Sequence, residues 1–385
     1  MIKISSIPGL KIGLMTFCAM VAMSASAFAE DAKPATTPAI SADDLKKALG
    51  MSIYLQAGYT YNGNASSNST SGSENDLRLY DHKANSFTLD LAEIIFSREP
   101  AAGQIGYKVK VSAGETAKII HAAGLGTQPT GTANPESFDI TEAYISYTAP
   151  VGRGLRFDIG KMGTFVGAEV IEAIDNPNYS RSFLFNYAEP TTHIGVKATY
   201  AFTDSVNASF HVLNGWDNAE DNNTGKCYGV SVNYAPSDIF SGYVNYMSGP
   251  EQTNNNRDTR TLLDLVATIK PAKPLSIILN YDNGMEDNAV ATGNAKWSGV
   301  SGIVKYDFND TYSLAVRCET FDDTDGFRTG TQQKLTEVTV TPEIRLAGGL
   351  VVRPEYRHDT SNKQSFDNDT RKSQDTVALA AMYRW

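Results

Sequence analysis

Hydrophobic and polar residues alternate along most of this chain with a period of two. The last ten residues place an apolar set on one face of an extended strand: Val377, Leu379, Ala381, Tyr383 and Trp385. In residues 105–113 the pattern recurs, with Tyr107, Val109 and Val111 on one face and Lys108, Lys110 and Ser112 on the other. This period predicts strands, and an apolar face closed by aromatic residues is typical of strands between lipid and a wet lumen.

Sixteen such segments follow one another from residue 51 onward. They cover residues 51–61, 86–97, 105–113, 138–149, 155–162, 191–202, 205–213, 226–235, 239–248, 260–270, 275–283, 296–308, 311–321, 333–346, 350–359 and 375–385. Their number and length predict an all-β fold, a transmembrane antiparallel up-and-down β-barrel of about 16 strands with an aqueous lumen.

The connections between these segments alternate in length. Short turns rich in Pro, Gly, Asn and Asp occupy residues 150–154, 203–204, 236–238, 271–274, 309–310 and 347–349. Long polar connections occupy residues 62–85, 116–137, 163–190, 284–295 and 360–373. Short periplasmic turns and long external loops are expected of an outer-membrane barrel.

The N-terminal residues predict export. Lys3 and Lys11 precede an apolar run over residues 12–23, and Ala27-Phe28-Ala29 has the small-x-small pattern of a cleavage site. Ser41 is expected to cap a short helix over residues 41–49. The predicted organisation is a signal peptide over residues 1–29, a short periplasmic N-terminal segment over 30–50 and a transmembrane β-barrel over 51–385.

Composition and charge narrow the class of partner. Loss of the two signal lysines would change the formal charge from −10 to −12, which disfavours nucleic acid as a partner. The chain has 19 Tyr and 16 Phe but only 3 Trp, which suits the aromatic girdles of a barrel, although a soluble sandwich could also carry them. Export and strand pattern together predict the outer membrane of a Gram-negative bacterium.

Several stretches resemble one known family. They are NSFTLDLAE (85–93), EAYISYTAPVGRGL (142–155), EVIEAIDNPNYSRSFLF (169–185), HIGVKATY (193–200), LNGWDN (213–218), FDDTDGFRTG (321–330) and EYRHD (355–359). Through them nearly all of residues 51–385 resembles the OmpL-like β-barrel porin family of Gram-negative outer membranes. The resemblance implies a pore-forming barrel and supplies no catalytic or substrate-binding residues.

The long connection over residues 163–190 contains many apolar residues and is therefore expected to fold into the barrel. Read as a short helix, residues 169–175 place Glu169, Glu172 and Asp175 on one side and Val170, Ile171 and Ile174 on the other. We expect the apolar side to pack on the wall and the three carboxylates to face the channel as a pore constriction.

Arginines are predicted on the opposite wall. The inward positions there include Arg317, Arg345, Arg353 and Arg357. An acidic loop facing these arginines would create a transverse field across the pore. Glu319, Glu343 and Glu355 also point inward, so the alternative is a wall of neutralising Arg/Glu pairs on neighbouring strands.

Other candidate sites are weaker. Residues 322–326 have carboxylates spaced as in calcium loops, but the closing Glu is absent, and a solvated loop is expected. The five histidines show no metal-ligand spacing. Cys227 is predicted inward and Cys318 outward, as separate thiols. We therefore predict no catalytic residue, no cofactor and no metal.

The predicted function is an outer-membrane porin that allows passive diffusion of small hydrophilic solutes or ions. The alternatives are a barrel enzyme such as a lipid hydrolase, which would need a Ser, a His and an acidic or amide partner at the membrane edge, or a surface adhesin. Outer-membrane lipid and small solutes are the expected partners, with a homotrimer as one expected assembly. Acidic loops favour cations and lumen arginines favour anions, so the preference stays open.

Overall fold

The computed structural model describes residues 41–68, 72–125 and 137–385. Within these ranges, sixteen antiparallel strands form a closed barrel, which confirms the predicted fold. In chain order the strands are β1 Met51–Asn62, β2 Ser66–Asn68, β3 Gly72–Glu74, β4 Phe87–Arg98, β5 Ile105–Ala113, β6 Phe138–Ala149, β7 Leu155–Gly163, β8 Thr192–Ala201, β9 Val206–Leu213, β10 Cys227–Ser237, β11 Phe240–Pro250, β12 Thr259–Ala272, β13 Leu275–Val290, β14 Gly293–Asp307, β15 Tyr312–Asp323, β16 Gln333–Arg345, β17 Leu350–Ser361 and β18 Ser373–Arg384. Only β2 and β3 lie outside the barrel, as a separate two-stranded sheet.

The helices of the described ranges are short. They are α1 Ala42–Leu49 and α2 Glu115–Ile119, with 3-10 turns at Ala173–Asp175 and Ala347–Gly349 and a π-helical turn at Leu184–Ala188. The Ser41 hydroxyl accepts the Asp44 N–H at 3.1 Å, which confirms the predicted N-cap. No helix in this part of the chain combines the length and apolarity needed to cross a bilayer. The predicted signal peptide lies outside the described residues.

The first and last strands close the barrel. β1 pairs with β18 along its length, with Leu55 opposite Tyr383. Ile53 and Trp385 exchange both backbone hydrogen bonds at 2.9 Å. Closure leaves no strand edge with unpaired backbone groups, which is a requirement for a sheet that crosses lipid.

Side chains alternate between the outer and inner faces as the sequence predicts. On β18, Leu379 is 55% exposed, whereas Ala380 and Met382 are fully buried. On β1, Leu55 is exposed and its neighbour Tyr54 is buried. The apolar set of each strand therefore faces outward, where the hydrocarbon of a membrane would cover it.

One predicted connection is wrong. The sequence predicts a long loop over residues 284–295, but β13 continues to Val290 and β14 begins at Gly293. Met285 pairs with Lys296 and Glu286 pairs with Ala295 in this extension. Backbone hydrogen bonds hold the two strands together beyond the lipid zone, where neither face has to be apolar, so the alternation that reveals a strand is lost.

Two buried apolar clusters lie inside the barrel. The first combines Phe183 and Leu184 of the 163–190 connection with Trp297 and Phe321 of the wall. The second combines residues of the same connection, including Tyr179, with Tyr54 and Tyr80. Part of the lumen is therefore filled by connections that return into it.

Candidate functional site

The connection over residues 163–190, hereafter the inward loop, crosses the interior of the barrel. Its Tyr179 hydroxyl donates to Asp90 of β4 at 2.8 Å. The Ala188 carbonyl accepts the indole N–H of Trp297 on β14 at 3.2 Å. Because β4 and β14 lie in different parts of the barrel wall, these contacts confirm that the loop folds into the lumen.

The predicted helix over residues 169–175 is wrong. Only Ala173–Asp175 forms a single 3-10 turn, and Glu172 before it is extended. The Asn176 side chain takes the place of helical hydrogen bonds, since its Oδ1 accepts the Val170 N–H at 2.9 Å and its Nδ2 donates to the Val170 carbonyl at 2.8 Å. A side chain that satisfies both backbone groups of one residue favours a compact turn over a helix.

Arg181 holds the inward loop together from within. Its guanidinium donates to the carbonyls of Val170, Ile171 and Tyr179, with the Val170 contact at 2.9 Å. The side chain is almost fully buried. Arg181 could not be predicted as a functional residue, because nothing in the local sequence distinguishes it from a solvated loop arginine.

Glu169 joins the inward loop to the arginine side of the wall. Its Oε1 accepts a hydrogen bond from Arg317 at 2.9 Å, and its Oε2 accepts the Ser182 N–H at 2.7 Å. Both Glu169 and Arg317 are buried. The two residues predicted to face each other across an open pore are therefore in direct contact.

The other two loop carboxylates bind cations on other strands. Glu172 forms a buried ion pair with Lys110 of β5, and exposed Asp175 pairs with Arg384 of β18 at 2.6 Å. Burial opposes ionisation of Glu172, but the charge of Lys110 outweighs it and lowers the pKa of the carboxyl. The prediction that all three carboxylates share one channel-facing side is wrong, because a charge that enters a poorly hydrated interior needs a partner, and the partners lie on different strands.

Three of the four predicted arginines contact the inward loop. Besides Arg317, Arg353 donates to the Ala173 carbonyl at 2.6 Å and Arg357 donates to the Arg181 carbonyl. Arg345 lies near the short-turn end of the barrel, where it binds Glu343 at 2.8 Å and also Asp307.

The alternative of Arg/Glu pairs within the wall is also present. Arg317 binds Glu337 at 2.6 Å, and Arg353 binds Glu343. Each of these two arginines therefore binds a wall carboxylate and the inward loop at the same time. The wall and the loop form one continuous polar network.

Two wall glutamates accept backbone N–H groups of the inward loop. Glu355 accepts from Tyr179 at 2.7 Å and from Ser180 at 3.0 Å, while Glu319 accepts from Phe183. The sequence alone predicts these glutamates only as partners of arginines. Their inward phase, together with an inward loop that has little regular secondary structure and therefore has backbone N–H groups in need of acceptors, could have indicated this role.

A cavity of about 270 Å³ lies between the inward loop and the wall formed by β5 to β8. Its charged lining residues are Lys108, Lys110, Glu142, Glu169, Glu172 and Lys197. Lys108 binds Glu142 at 2.8 Å, and Lys197 binds Asp158 at 3.0 Å. The alternation of residues 105–113 places Lys108 and Lys110 on the inner face, but nothing in the sequence alone indicates that they line a cavity together with Lys197.

The remaining candidates have structural partners. His211 stacks on Phe165 with ring centroids 4.0 Å apart, inside the barrel. Cys227 is buried and Cys318 is exposed, which confirms two separate thiols. Asp323, expected in a solvated loop, is buried and accepts the Arg328 N–H at 2.9 Å, so that the carboxylate organises the turn.

Solved structures share this barrel at low sequence identity. An anion-selective porin from Comamonas acidovorans has a TM-score of 0.59 at 9% identity, covering 87% of this chain and 98% of that chain. The outer membrane channel DcaP of Acinetobacter baumannii has a TM-score of 0.59 at 10% identity, covering 87% and 96%. The trimer form of OmpT, an outer membrane protein of Vibrio cholerae, has a TM-score of 0.56 at 15% identity, covering 87% and 98%.

Sequence comparison identifies the family. No curated protein matches the chain. The family profile described as "Putative beta-barrel porin-2, OmpL-like" matches residues 48–385, which confirms the resemblance found in the sequence. The chain therefore belongs to this family of OmpL-like β-barrel porins, and it is an outer-membrane porin of a Gram-negative bacterium.

Proposed function

We propose that the barrel carries small hydrophilic solutes and ions by passive diffusion, and that the inward loop sets the narrowest part of the path. One observation carries this proposal: the loop crosses the lumen and is bound on several sides, as between Tyr179 and Asp90 and between Glu169 and Arg317. A loop fixed in this way reduces the cross-section of a sixteen-stranded barrel without closing its ends.

The predicted constriction residues act in this proposal by fixing the position of the loop. Glu169, Glu172 and Asp175 bind the wall from the loop side, and Arg317, Arg353 and Arg357 bind the loop from the wall. Arg345 neutralises carboxylates near the short turns. The constriction is therefore shaped by ion pairs rather than by a field between two separated charge clusters.

The charges that a passing ion would meet are those of the cavity beside the inward loop. Lys108 and Lys197 are partly exposed there, with 29% and 30% of their side chains accessible. Both lysines are ion-paired, but their partners Glu142 and Asp158 and the loop carboxylates Glu169 and Glu172 are at most 10% accessible. Accessible ammonium groups attract anions, so we propose a preference for anions over cations.

Planar bilayers test this function. The refolded protein should give single-channel steps, and a KCl gradient should give a reversal potential of anion-selective sign. The double variant Lys108→Glu/Lys197→Glu should move that potential toward cation selectivity. The matched control is Lys273→Glu, which reverses a charge in an exposed turn and should leave the potential unchanged. A folded barrel that gives no steps would refute diffusion, and unchanged selectivity in the double variant would refute the role of the lysines.

We also propose a channel without enzymatic activity. His358 pairs with Asp375 at 2.8 Å on the outer face, but no serine hydroxyl bonds to His358 within the described ranges. A lipid hydrolase needs that nucleophile in contact with its base. Release of fatty acids from phospholipid vesicles by the protein, abolished in His358→Ala, would contradict this proposal.

A trimer is the assembly that we propose. One similar solved structure is described as the trimer form of the Vibrio cholerae protein OmpT. Mass measurement of the detergent-solubilised protein should give three chains per particle, and a single chain per particle would argue against it.

A further inference from the structure

Three carboxylates meet where the end of the inward loop reaches the barrel wall. Glu189 lies just before β8, while Asp264 and Asp282 belong to β12 and β13. One oxygen of each lies within 4.8 Å of an oxygen of both others. Asp264 and Asp282 are direct partners in the register of their strands, so they project into the lumen side by side.

These carboxylates have no positive charge beside them. Asp264 and Asp282 have no exposed surface, and Glu189 is only 4% exposed. In residues 41–68, 72–125 and 137–385, no lysine, arginine or histidine forms an ion pair with any of the three. Three like charges in a poorly hydrated site repel one another and need neutralisation.

Hydrogen bonds satisfy only one member of the cluster. Asp264 accepts from Asn245 at 2.6 Å, from Asn280 at 2.7 Å and from the Gly167 N–H at 3.0 Å. Both oxygens of Asp282, however, are buried with no donor in the described part of the chain, and the same is true of Glu189 Oε2. Buried acceptors without donors are rare in folded proteins, and here they converge on one point.

We propose that Glu189, Asp264 and Asp282 bind one calcium ion, which joins the inward loop to the barrel wall. The donors are carboxylate oxygens, which suit a hard cation and not a thiolate- or imidazole-preferring metal. Calcium accepts six to eight oxygens in irregular geometry, whereas magnesium demands a near-ideal octahedron. Side chains from two strands and a loop provide the irregular arrangement.

The inward loop closes over this cluster through a glycine. A Cβ atom at Gly167 would lie 1.9 Å from Glu189 Oε2. The absence of a side chain therefore lets the loop backbone approach the carboxylate and at the same time donate to Asp264. Access of calcium to the site depends on how the inward loop packs on the wall. Calcium binding can be measured whether or not the barrel conducts, so the site and the proposed function are tested separately.

Calorimetry on the full chain tests the assignment. Protein refolded in detergent and stripped with EGTA should bind one calcium ion per chain, and a tenfold excess of magnesium should not displace it. Asp282→Asn should weaken binding at least about tenfold, because it removes an anionic ligand. Asp238→Asn is the matched control, since it makes the same change at an exposed carboxylate in a turn and should keep the affinity.

Thermal unfolding provides a second measurement. Calcium should raise the unfolding temperature of the wild-type protein but not that of Asp282→Asn or of Glu189→Gln. Without calcium, each variant should unfold at or above the wild-type temperature, because one repelling charge is gone. Absence of binding to the wild type would overturn the site and leave protons as the neutralising species. Unchanged affinity in both variants would overturn the choice of ligands, and displacement by magnesium would overturn the choice of calcium.

Discussion

Arg317 donates to Glu169 Oε1 at 2.9 Å across the lumen, although the two residues are 148 positions apart in the chain. Arg317 also binds Glu337 at 2.6 Å and the Ser180 carbonyl at 2.7 Å. All of these groups are shielded from solvent. The contact fixes Glu169 of the inward loop against β15, and in the proposed function this buried pair helps to hold the loop in the pore.

Glu169→Gln should weaken this attachment. The amide can still accept a hydrogen bond from Arg317, but the charge of its partner is lost, which should lower the free energy of unfolding by about 1–3 kcal/mol. A loosened loop should also increase single-channel conductance. Urea unfolding in detergent and bilayer recordings measure the two effects.

The exposed pair between Asp175 and Arg384 offers a matched control for that experiment. Asp175→Asn removes one carboxylate from the same loop, but solvent screens the pair, so the loss should stay below about 1 kcal/mol. Equal losses for Glu169→Gln and Asp175→Asn would show that burial of the first pair does not matter.

The strands could be read from the sequence because each one faces lipid on one side. Leu379 faces outward and Ala380 inward because successive side chains of a strand point to opposite faces, so the strand is visible in the sequence as a hydrophobic period of two. The sequence of the inward loop shows no such period. Its conformation depends on Arg317, Glu355 and Trp297, which are distant in sequence and adjacent only in the closed barrel.

The cluster of Glu189, Asp264 and Asp282 could be predicted from the sequence only in part. The inward phase of Asp264 and Asp282 follows from strand alternation, and their pairing follows from the register of one hairpin. The position of Glu189 follows from neither, since it depends on where the loop ends. Histidine spacing and calcium-loop motifs are local patterns, so they do not reveal a site whose ligands come from three separate elements.

Arg181→Met should disorganise the inward loop. It removes a donor from three loop carbonyls and leaves those of Ile171 and Tyr179 without one in the described part of the chain, whereas the Val170 carbonyl keeps the amide of Asn176. Buried carbonyls without donors should cost about 3–5 kcal/mol in total. The measurement is urea unfolding together with the noise of open-channel current, which should rise. Arg371→Met, on an exposed loop, should change neither quantity. Unchanged current noise in Arg181→Met would contradict the proposal that Arg181 holds the inward loop in place.

Comparison of Gly167→Ala with Gly330→Ala separates the cost of backbone strain from the cost of a steric clash. Gly167 has a φ of +89°, and an added Cβ would lie 1.9 Å from Glu189 Oε2. Gly330 has a similar φ of +80°, but an added Cβ would meet nothing within 4 Å. Gly330→Ala should therefore cost about 1–2 kcal/mol from the backbone alone, and Gly167→Ala distinctly more. Unfolding free energies of the two variants give the comparison, and equal costs would mean that Glu189 moves aside freely.

Glu251 should make stability depend on pH. Burial raises the pKa of Glu251, which follows β11, to about 7, against an ordinary value of 4.5, while its carboxylate accepts the Trp216 N–H at 2.8 Å. Between these two values the unfolded chain is ionised while the folded protein keeps its proton, so the contribution of this group to stability falls as the pH rises from 4.5 to 7. Above that range the penalty is constant, at about 3 kcal/mol.

Glu251→Gln should remove the penalty, because the amide can still accept the Trp216 N–H without carrying a charge. The variant should unfold at a higher guanidinium concentration than the wild type at pH 8, and the two should differ by less than about 1 kcal/mol at pH 5. Glu220→Gln makes the same change at an exposed carboxylate and should follow the wild type at both pH values. If the stability gain of Glu251→Gln were the same at pH 5 and pH 8, repacking rather than ionisation would account for it.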